Sequence, residues 1–90
     1  MSTVSHAIYH DLVIVAESPN TEIWLGDNEG YFVQKETGRL STGLLPGMYV
    51  VEFGLGAPRY DINLAADSHT TEAELTAGEP SPRQISKFPE

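Results

Sequence analysis

The stretch from residue 44 to residue 55, Leu-Leu-Pro-Gly-Met-Tyr-Val-Val-Glu-Phe-Gly-Leu, constrains the fold more than any other part of the chain. Pro46 fixes the backbone angle that suits the second position of a turn, and Gly47 supplies the positive φ that the third position of a type II turn requires. After this turn, every second residue is a β-forming apolar or aromatic type: Tyr49, Val51, Phe53 and Leu55. This period of two is typical of a strand with one buried face. We therefore predict a core strand that begins at a tight turn.

Other short apolar segments follow one another along the chain, separated by residues that favour turns. Residues 12–16 form a continuous apolar run rich in β-branched side chains, which predicts a strand covered on both faces. Further strands are predicted over residues 21–25, 31–34, 39–45, 60–64 and 70–75. No segment shows the three-and-four spacing of apolar residues that a helix requires. The sequence thus predicts an all-β fold, a single antiparallel β-sandwich of about seven short strands.

The 90 residues are enough for one domain. Residues 1–9 contain few aliphatic side chains and are predicted to be an N-terminal arm. Residues 10–76 contain the predicted strands and are assigned to the sandwich. Residues 77–90 include Pro80, Pro82 and Pro89 and have no periodicity, so we expect this C-terminal tail to be disordered.

Charge and composition exclude several classes of function. Thirteen acidic against five basic residues give a net charge of −8, which would repel a phosphate backbone, so we expect no nucleic-acid partner. No apolar run approaches the ~18 residues of a membrane span, and the first residues do not resemble a signal peptide. A cytoplasmic location is therefore expected, with export in a complex or after signal removal left open. The absence of cysteine excludes disulfides and thiolate metal sites.

The residues that could support catalysis or metal binding do not form a recognisable motif. His6, His10 and His69 could bind zinc together with Asp11 or Asp67, but His6 and His10 would not converge on an extended arm. The chain has no Gly-x-Ser-x-Gly elbow and no glycine-rich phosphate loop before a helix. We therefore expect a protein that is not an enzyme and that requires no metal and no cofactor.

A second apolar stripe is the most informative feature for function. We expect one side of the strands to face the core through Val13, Val15, Ile23, Leu25, Tyr49, Val51 and Phe53. Alternation then places a second apolar set on the opposite face: Leu12, Ile14, Trp24, Met48 and Val50. Either the arm, the loops or the tail covers this face, or it is a docking patch centred on Trp24 with Tyr31 as a neighbouring anchor.

The C-terminal tail, like the second apolar face, has one interpretation without a partner and one with a partner. It is either a linker or solubilising end, or a short recognition segment whose apolar anchors are Ile85 and Phe88.

Several segments together resemble a known family: Val13-Ile14-Val15, Ser18-Pro19, Ile23-Trp24-Leu25-Gly26, Leu45-Pro46-Gly47-Met48-Tyr49-Val50-Val51 and Tyr60-Asp61-Ile62-Asn63-Leu64. With these segments, residues 11–75 resemble the PEGA-type domain, a small β-sandwich found on many bacterial proteins and related to carboxypeptidase regulatory domains. Pro19-Asn20-Thr21-Glu22 stands where the family has the tetrapeptide that names it, and Leu45 replaces the usual second proline. The resemblance implies a non-catalytic module and supplies no functional residues.

These observations predict a non-enzymatic protein-binding or assembly module, an accessory subunit of a larger bacterial complex. Its partner would be another protein or a second copy of the chain, bound through a sheet face or an edge strand. The alternative is a carbohydrate- or cell-envelope-binding module in which Trp24 and Tyr31 stack on sugar rings.

Overall fold

The computed structural model of the chain describes residues 9–54 and 56–81. This part of the chain contains seven strands and one short helix. In order they are β1 (His10–Val15), β2 (Glu22–Gly26), β3 (Phe32–Thr37), β4 (Arg39–Leu44), β5 (Gly47–Phe53), β6 (Arg59–Leu64), β7 (Ser68–Thr71) and α1 (Glu72–Thr76). The all-β class predicted from the sequence is confirmed.

The strands form two sheets, one with the order β4-β1-β7 and the other with the order β3-β2-β5-β6. β5 begins at Gly47, as the Pro-Gly pair predicts, and it is a central strand that pairs antiparallel with β2 and β6. Because β4 lies in the other sheet, the connection through Pro46 carries the chain between sheets. β1 pairs antiparallel with β4 but parallel with β7. The prediction of a wholly antiparallel fold is therefore wrong for β7.

Both sheets contribute to one hydrophobic core. Its buried members are Leu12, Ile14, Ala16, Ile23, Leu25, Leu40, Val51, Tyr60, Ile62 and Leu64. Leu44, Tyr49, Phe53 and Leu75 are partly buried and pack against this cluster. The inward faces predicted for β2 and β5 are therefore correct for the described residues, which lie in or against this core: Ile23, Leu25, Tyr49, Val51 and Phe53. Leu55, also predicted to face inward, lies outside the described residues.

The predicted orientation of β1 is wrong by one residue. Leu12 and Ile14 are completely buried in the core, whereas Val13 and Val15 are half-buried on the other side of the strand. The run from residue 12 to residue 16 contains no polar side chain, so nothing in it distinguishes the inner face from the outer one. The pairing with β4 shows the inner face, because Ile14 lies opposite the buried Leu40.

A single glycine, Gly38, joins β3 of one sheet to β4 of the other. Gly38 has a φ of 82°, a left-handed conformation that favours glycine. Its N–H donates to the carbonyl of Thr21 at 2.8 Å, and its carbonyl accepts from the N–H of Ala16 at 2.9 Å. The chain thus passes from one sheet into the other at Gly38 and is bonded there to the end of β1 and the start of β2.

The seventh predicted strand is also wrong in part, because residues 72–76 are helical. β7 ends at Thr71, whose side chain accepts from the Glu74 N–H at 3.2 Å while the Glu74 carboxylate accepts from the Thr71 N–H at 3.0 Å. This reciprocal pair is a capping box, which starts a helix. A helix of five residues is too short to give a helical period in the sequence.

The chain after α1 returns to the four-stranded sheet. The Ser81 N–H donates to the carbonyl of Arg59 at the start of β6. Residues 1–8 of the expected arm and residues 82–90 of the expected tail, including Ile85 and Phe88, lie outside the described residues. Across residues 9–54 and 56–81, no helix is long and apolar enough to cross a membrane.

Candidate functional site

The outer face of the four-stranded sheet carries a row of side chains that crosses all four strands. Trp24 of β2 lies opposite Lys35 of β3 and Glu52 of β5, and Glu52 lies opposite Arg59 of β6. The row therefore reads cation, aromatic ring, anion, cation. Cross-strand neighbours on one face are close enough to interact, so this row is stabilised by its own contacts.

Trp24 is held on several sides. Its indole N–H donates to the Glu22 carboxylate at 3.2 Å, and the Lys35 ammonium lies 5.0 Å from the ring centroid. The same ammonium is 3.4 Å from the Glu22 carboxylate. The Phe32 ring packs at 5.8 Å between centroids and tilts by 60°. Trp24 is consequently only 6% exposed and joins the completely buried Val50 in a small second cluster.

Glu52 is a buried carboxylate, 1% exposed, in the middle of this face. One of its oxygens accepts from the N–H of Gly56 at 2.7 Å, and the other lies 3.1 Å from Nε of Arg59. The short Nε–Oε1 distance makes an ion pair, but the Nε–H is not aligned for a hydrogen bond to any described residue. Glu52 thus holds the β5–β6 connection and places the Arg59 guanidinium on the sheet.

Three consecutive exposed side chains lie at the start of β3 beside Trp24, and we call them the β3 patch: Tyr31, Phe32 and Val33. Their exposed fractions are 49%, 40% and 37%. A register shift next to Gly26 leaves Val33 without a partner in β2, because Leu25 pairs with Gln34 and Gly26 with Phe32. Phe32 therefore faces a glycine, which has no side chain of its own there, and its ring packs against Trp24.

The loop before β3 is fixed by one aspartate. The Asp27 carboxylate accepts from the N–H groups of Glu29 and Tyr31, both at 2.9 Å. Its backbone exchanges further bonds with Gly30 and Tyr31, so the loop closes on Asp27 from both sides. An aspartate that bonds the backbone two residues ahead is typical turn chemistry. The β3 patch is thus presented on a fixed loop and strand start.

Asp27 also influences a neighbouring tyrosine. Burial raises the pKa of Tyr49, and the negative charge of Asp27 raises this pKa further. Both effects disfavour the phenolate. The Tyr49 hydroxyl therefore stays protonated, and it donates a hydrogen bond to the carbonyl of Leu45 at 2.6 Å.

The residues predicted from the sequence to form one docking patch do not lie on one exposed surface. Leu12 and Ile14 are core residues of the other sheet, so their predicted place on the outer face is wrong. Trp24 and Val50 lie on the outer face but are buried. Tyr31 and Met48 are exposed, at 49% and 36%. The sequence analysis missed Phe32 and Val33, although the run Tyr-Phe-Val directly after a Gly-rich turn was a signal that could have identified them.

Of the three histidines considered as zinc ligands, His6 lies outside the described residues, whereas His10 and His69 lie within them. His10 Nδ1 lies 3.6 Å from the Asp67 carboxylate, which also accepts from the Asp11 N–H at 2.9 Å. No group of three or more potential metal ligands occurs within residues 9–54 and 56–81.

The chain matches no protein-family model, no curated protein and no solved structure. The resemblance to the PEGA-type domain therefore stays a prediction.

Proposed function

We propose that this chain is a non-enzymatic protein-binding or assembly module that docks its partner on the β3 patch. In this proposal it serves as an accessory subunit of a larger bacterial complex. Trp24 supports the surface from below and is not itself the contact, since the ring is already packed by Lys35 and Phe32.

The observation that carries the proposal is the exposure of three consecutive apolar or aromatic residues, Tyr31, Phe32 and Val33. A single exposed apolar side chain is ordinary on a protein surface, whereas a run that includes two aromatic residues is enriched at interfaces. Aromatic anchors bind well when they are held rigid before contact, because less conformational freedom is lost on binding. The Asp27 loop and the Trp24 ring supply this rigidity on either side of the patch.

The charges around the patch favour a partner with an apolar pocket and a basic rim. Asp27 and the exposed Glu29 precede the patch, and the chain as a whole carries a net charge of −8. Lys35, which lies beside Trp24, is already paired with Glu22. Complementary charge at the rim of an interface increases the rate of association and disfavours acidic partners.

The alternative, a carbohydrate- or envelope-binding module, needs a flat open aromatic face. Trp24 does not offer one, because it is 6% exposed and Lys35 lies over its ring. Phe32 tilts by 60° against Trp24, so the two rings do not make a common platform. The protein-binding proposal is supported better by this packing.

The experiment compares two serine substitutions of exposed tyrosines. Tyr31→Ser removes an aromatic ring from the β3 patch, and Tyr9→Ser removes one that is 62% exposed before β1, in the other sheet. A partner is first enriched from the host with the unmodified chain, then purified, and its affinity is measured by isothermal titration calorimetry. Phe32→Ser is measured in parallel.

We expect Phe32→Ser and Tyr31→Ser each to weaken binding by about 10- to 30-fold, which corresponds to ~1.4–2 kcal/mol for an interface anchor. Tyr9→Ser should bind as the unmodified chain does. Equal affinities for all four proteins would refute docking on this patch. Binding of an oligosaccharide that is lost with Tyr31→Ser would favour the carbohydrate alternative.

A further inference from the structure

We propose that two copies of this chain pair through β4, antiparallel and centred on Ser41, so that their three-stranded sheets join into one continuous sheet. The occupant of the outer edge of β4 is therefore a second copy of the chain. The proposal goes beyond the docking function, because β4 and the β3 patch lie in different sheets.

The outer edge of β4 is the least protected of the edges that the two sheets present. β3 has a register shift next to Gly26 and the adjacent charges of Lys35 and Glu36, which hinder further pairing. At the edge of β6, the carbonyl of Arg59 accepts from the N–H of Ser81, and β7 is short and continues into α1. β4 pairs with β1 without any shift, and within residues 9–54 and 56–81 no strand pairs with its other edge. A regular edge of this kind is a template for another chain.

The hydrogen bonds at the two ends of β1 show which backbone groups of β4 face outward. The Ala16 N–H donates to the carbonyl of Gly38, so these residues form a bonded pair. Bonded pairs alternate along an antiparallel ladder, so the bonds to β1 come from the even-numbered residues of β4. The Asp11 N–H agrees with this alternation, because it donates to the Asp67 carboxylate on the side of β7. The residues of β4 whose N–H and C=O groups point away from β1 are Arg39, Ser41 and Gly43.

The side chains of β4 leave room for a second copy. Leu40 is completely buried in the core, so Arg39, Ser41 and Gly43 lie on the outer face of the sheet, and all three are exposed. When Ser41 lies opposite Ser41 of the second copy, Arg39 lies opposite Gly43 and Leu40 opposite Thr42. This pairing brings no like charges together, and the outward backbone groups of each copy meet those of the other.

A carboxylate lies beside the glycine that this pairing places opposite Arg39. Asp11 pairs with Gly43 and is exposed, and a Cβ on Gly43 would lie 3.9 Å from an Asp11 carboxylate oxygen. Two strand spacings amount to ~10 Å, which the arginine and aspartate side chains together can span, so Arg39 of the second copy reaches Asp11 across Gly43. Symmetry provides this ion pair twice. Within one chain the two residues cannot meet, because Arg39 pairs with Val15, ~13 Å along β1 from Asp11.

Sedimentation equilibrium of the 90-residue chain tests this pairing, because it gives a dissociation constant for the dimer of each variant. Salt at ~0.15 M screens the repulsion between two chains of net charge −8 beyond ~8 Å. Ser41→Pro removes an N–H that the paired ladder needs and that β1 does not use, a substitution that an edge strand tolerates. Circular dichroism shows whether each variant is folded.

Two charge reversals and their combination test the contact between copies. Arg39→Glu and Asp11→Arg each place like charges at both symmetric contacts. They change the net charge of the chain in opposite directions, so net charge alone cannot weaken the dimer in both variants. The double variant restores opposite charges, and it does so only between copies, since the two residues do not meet within one chain.

We expect the unmodified chain to form dimers and each single reversal to raise the dissociation constant about 10-fold or more, because like charges oppose association. The double variant should return to within ~3-fold of the unmodified chain, and Ser41→Pro should be folded and monomeric. An unmodified chain that stays monomeric across the concentration series would overturn the proposal. So would a dimer that a folded Ser41→Pro leaves intact, or single reversals whose effects the double variant does not undo. If Ser41→Pro does not fold, the reversals and their combination decide alone.

Discussion

Replacing Gly38 with alanine should destabilise this protein more than the same replacement at a left-handed glycine where the added Cβ would contact no other residue. Gly38 connects β3 in one sheet to β4 in the other, with a φ of 82°. A Cβ at this position would lie 2.8 Å from the carbonyl oxygen of Pro19 and 3.1 Å from its Cα. Both are backbone atoms, which cannot rotate aside as the end of a flexible side chain can.

The size of the effect follows from two separate costs. An alanine in the left-handed region costs ~1–2 kcal/mol. Relief of the clash must also move the Pro19 backbone or Gly38 itself, which strains the bonds to Thr21 and Ala16, worth ~0.5–1.5 kcal/mol each. We therefore expect Gly38→Ala to lower the free energy of unfolding by about 2–4 kcal/mol, a large part of the stability of a small domain.

Gly56 provides the matched control. Its φ is 85°, and no heavy atom beyond its chain neighbours lies within 4 Å of an added Cβ. Gly56→Ala should therefore lose only the ~1–2 kcal/mol of the left-handed conformation. Urea unfolding followed by Trp24 fluorescence gives both free energies. Equal losses for the two variants would refute the argument that contact with Pro19 fixes this connection.

Two further predictions concern charge. Glu52→Gln keeps the shape of the side chain but leaves the Arg59 guanidinium beside it without its counter-charge. We therefore expect the free energy of unfolding, measured in urea, to fall by ~1–3 kcal/mol. The same substitution at the exposed Glu17 should change this free energy little, and equal losses would contradict the role of the Glu52–Arg59 pair. Because the pKa of Tyr49 is raised above 10.0 in the folded protein, the unfolded chain releases this proton first as the pH rises. Stability should thus fall more steeply above about pH 10 than it does in Tyr49→Phe, and parallel urea midpoints across this range would contradict the shift.

The sequence predicts the inner face of a strand where a polar residue marks the outer face. Glu22 does so in β2 and Glu52 in β5, and the described residues expected to be buried in these strands are buried or packed against the core. β1 is apolar throughout its centre, so the inner face depends on pairing with β4, which a local pattern does not contain. α1 depends on the reciprocal bonds of Thr71 and Glu74 within a single turn, which gives no period.

The candidate site was predictable only in part. Alternation places Trp24 and Val50 on the outer face, but it does not reveal that Lys35 and Phe32 enclose the indole ring. These contacts depend on the register between β2 and β3, including the shift next to Gly26. The exposed patch lies at that irregularity, where a period of two no longer identifies the face of a residue.

The most direct test of docking on the β3 patch is hydrogen exchange of this protein alone and in complex with its purified partner. We predict that binding slows exchange of the backbone amides at Tyr31, Phe32 and Val33 and leaves β4, in the other sheet, unchanged. Slower exchange confined to β4 or β7, with residues 31–33 unaffected, would contradict the proposal.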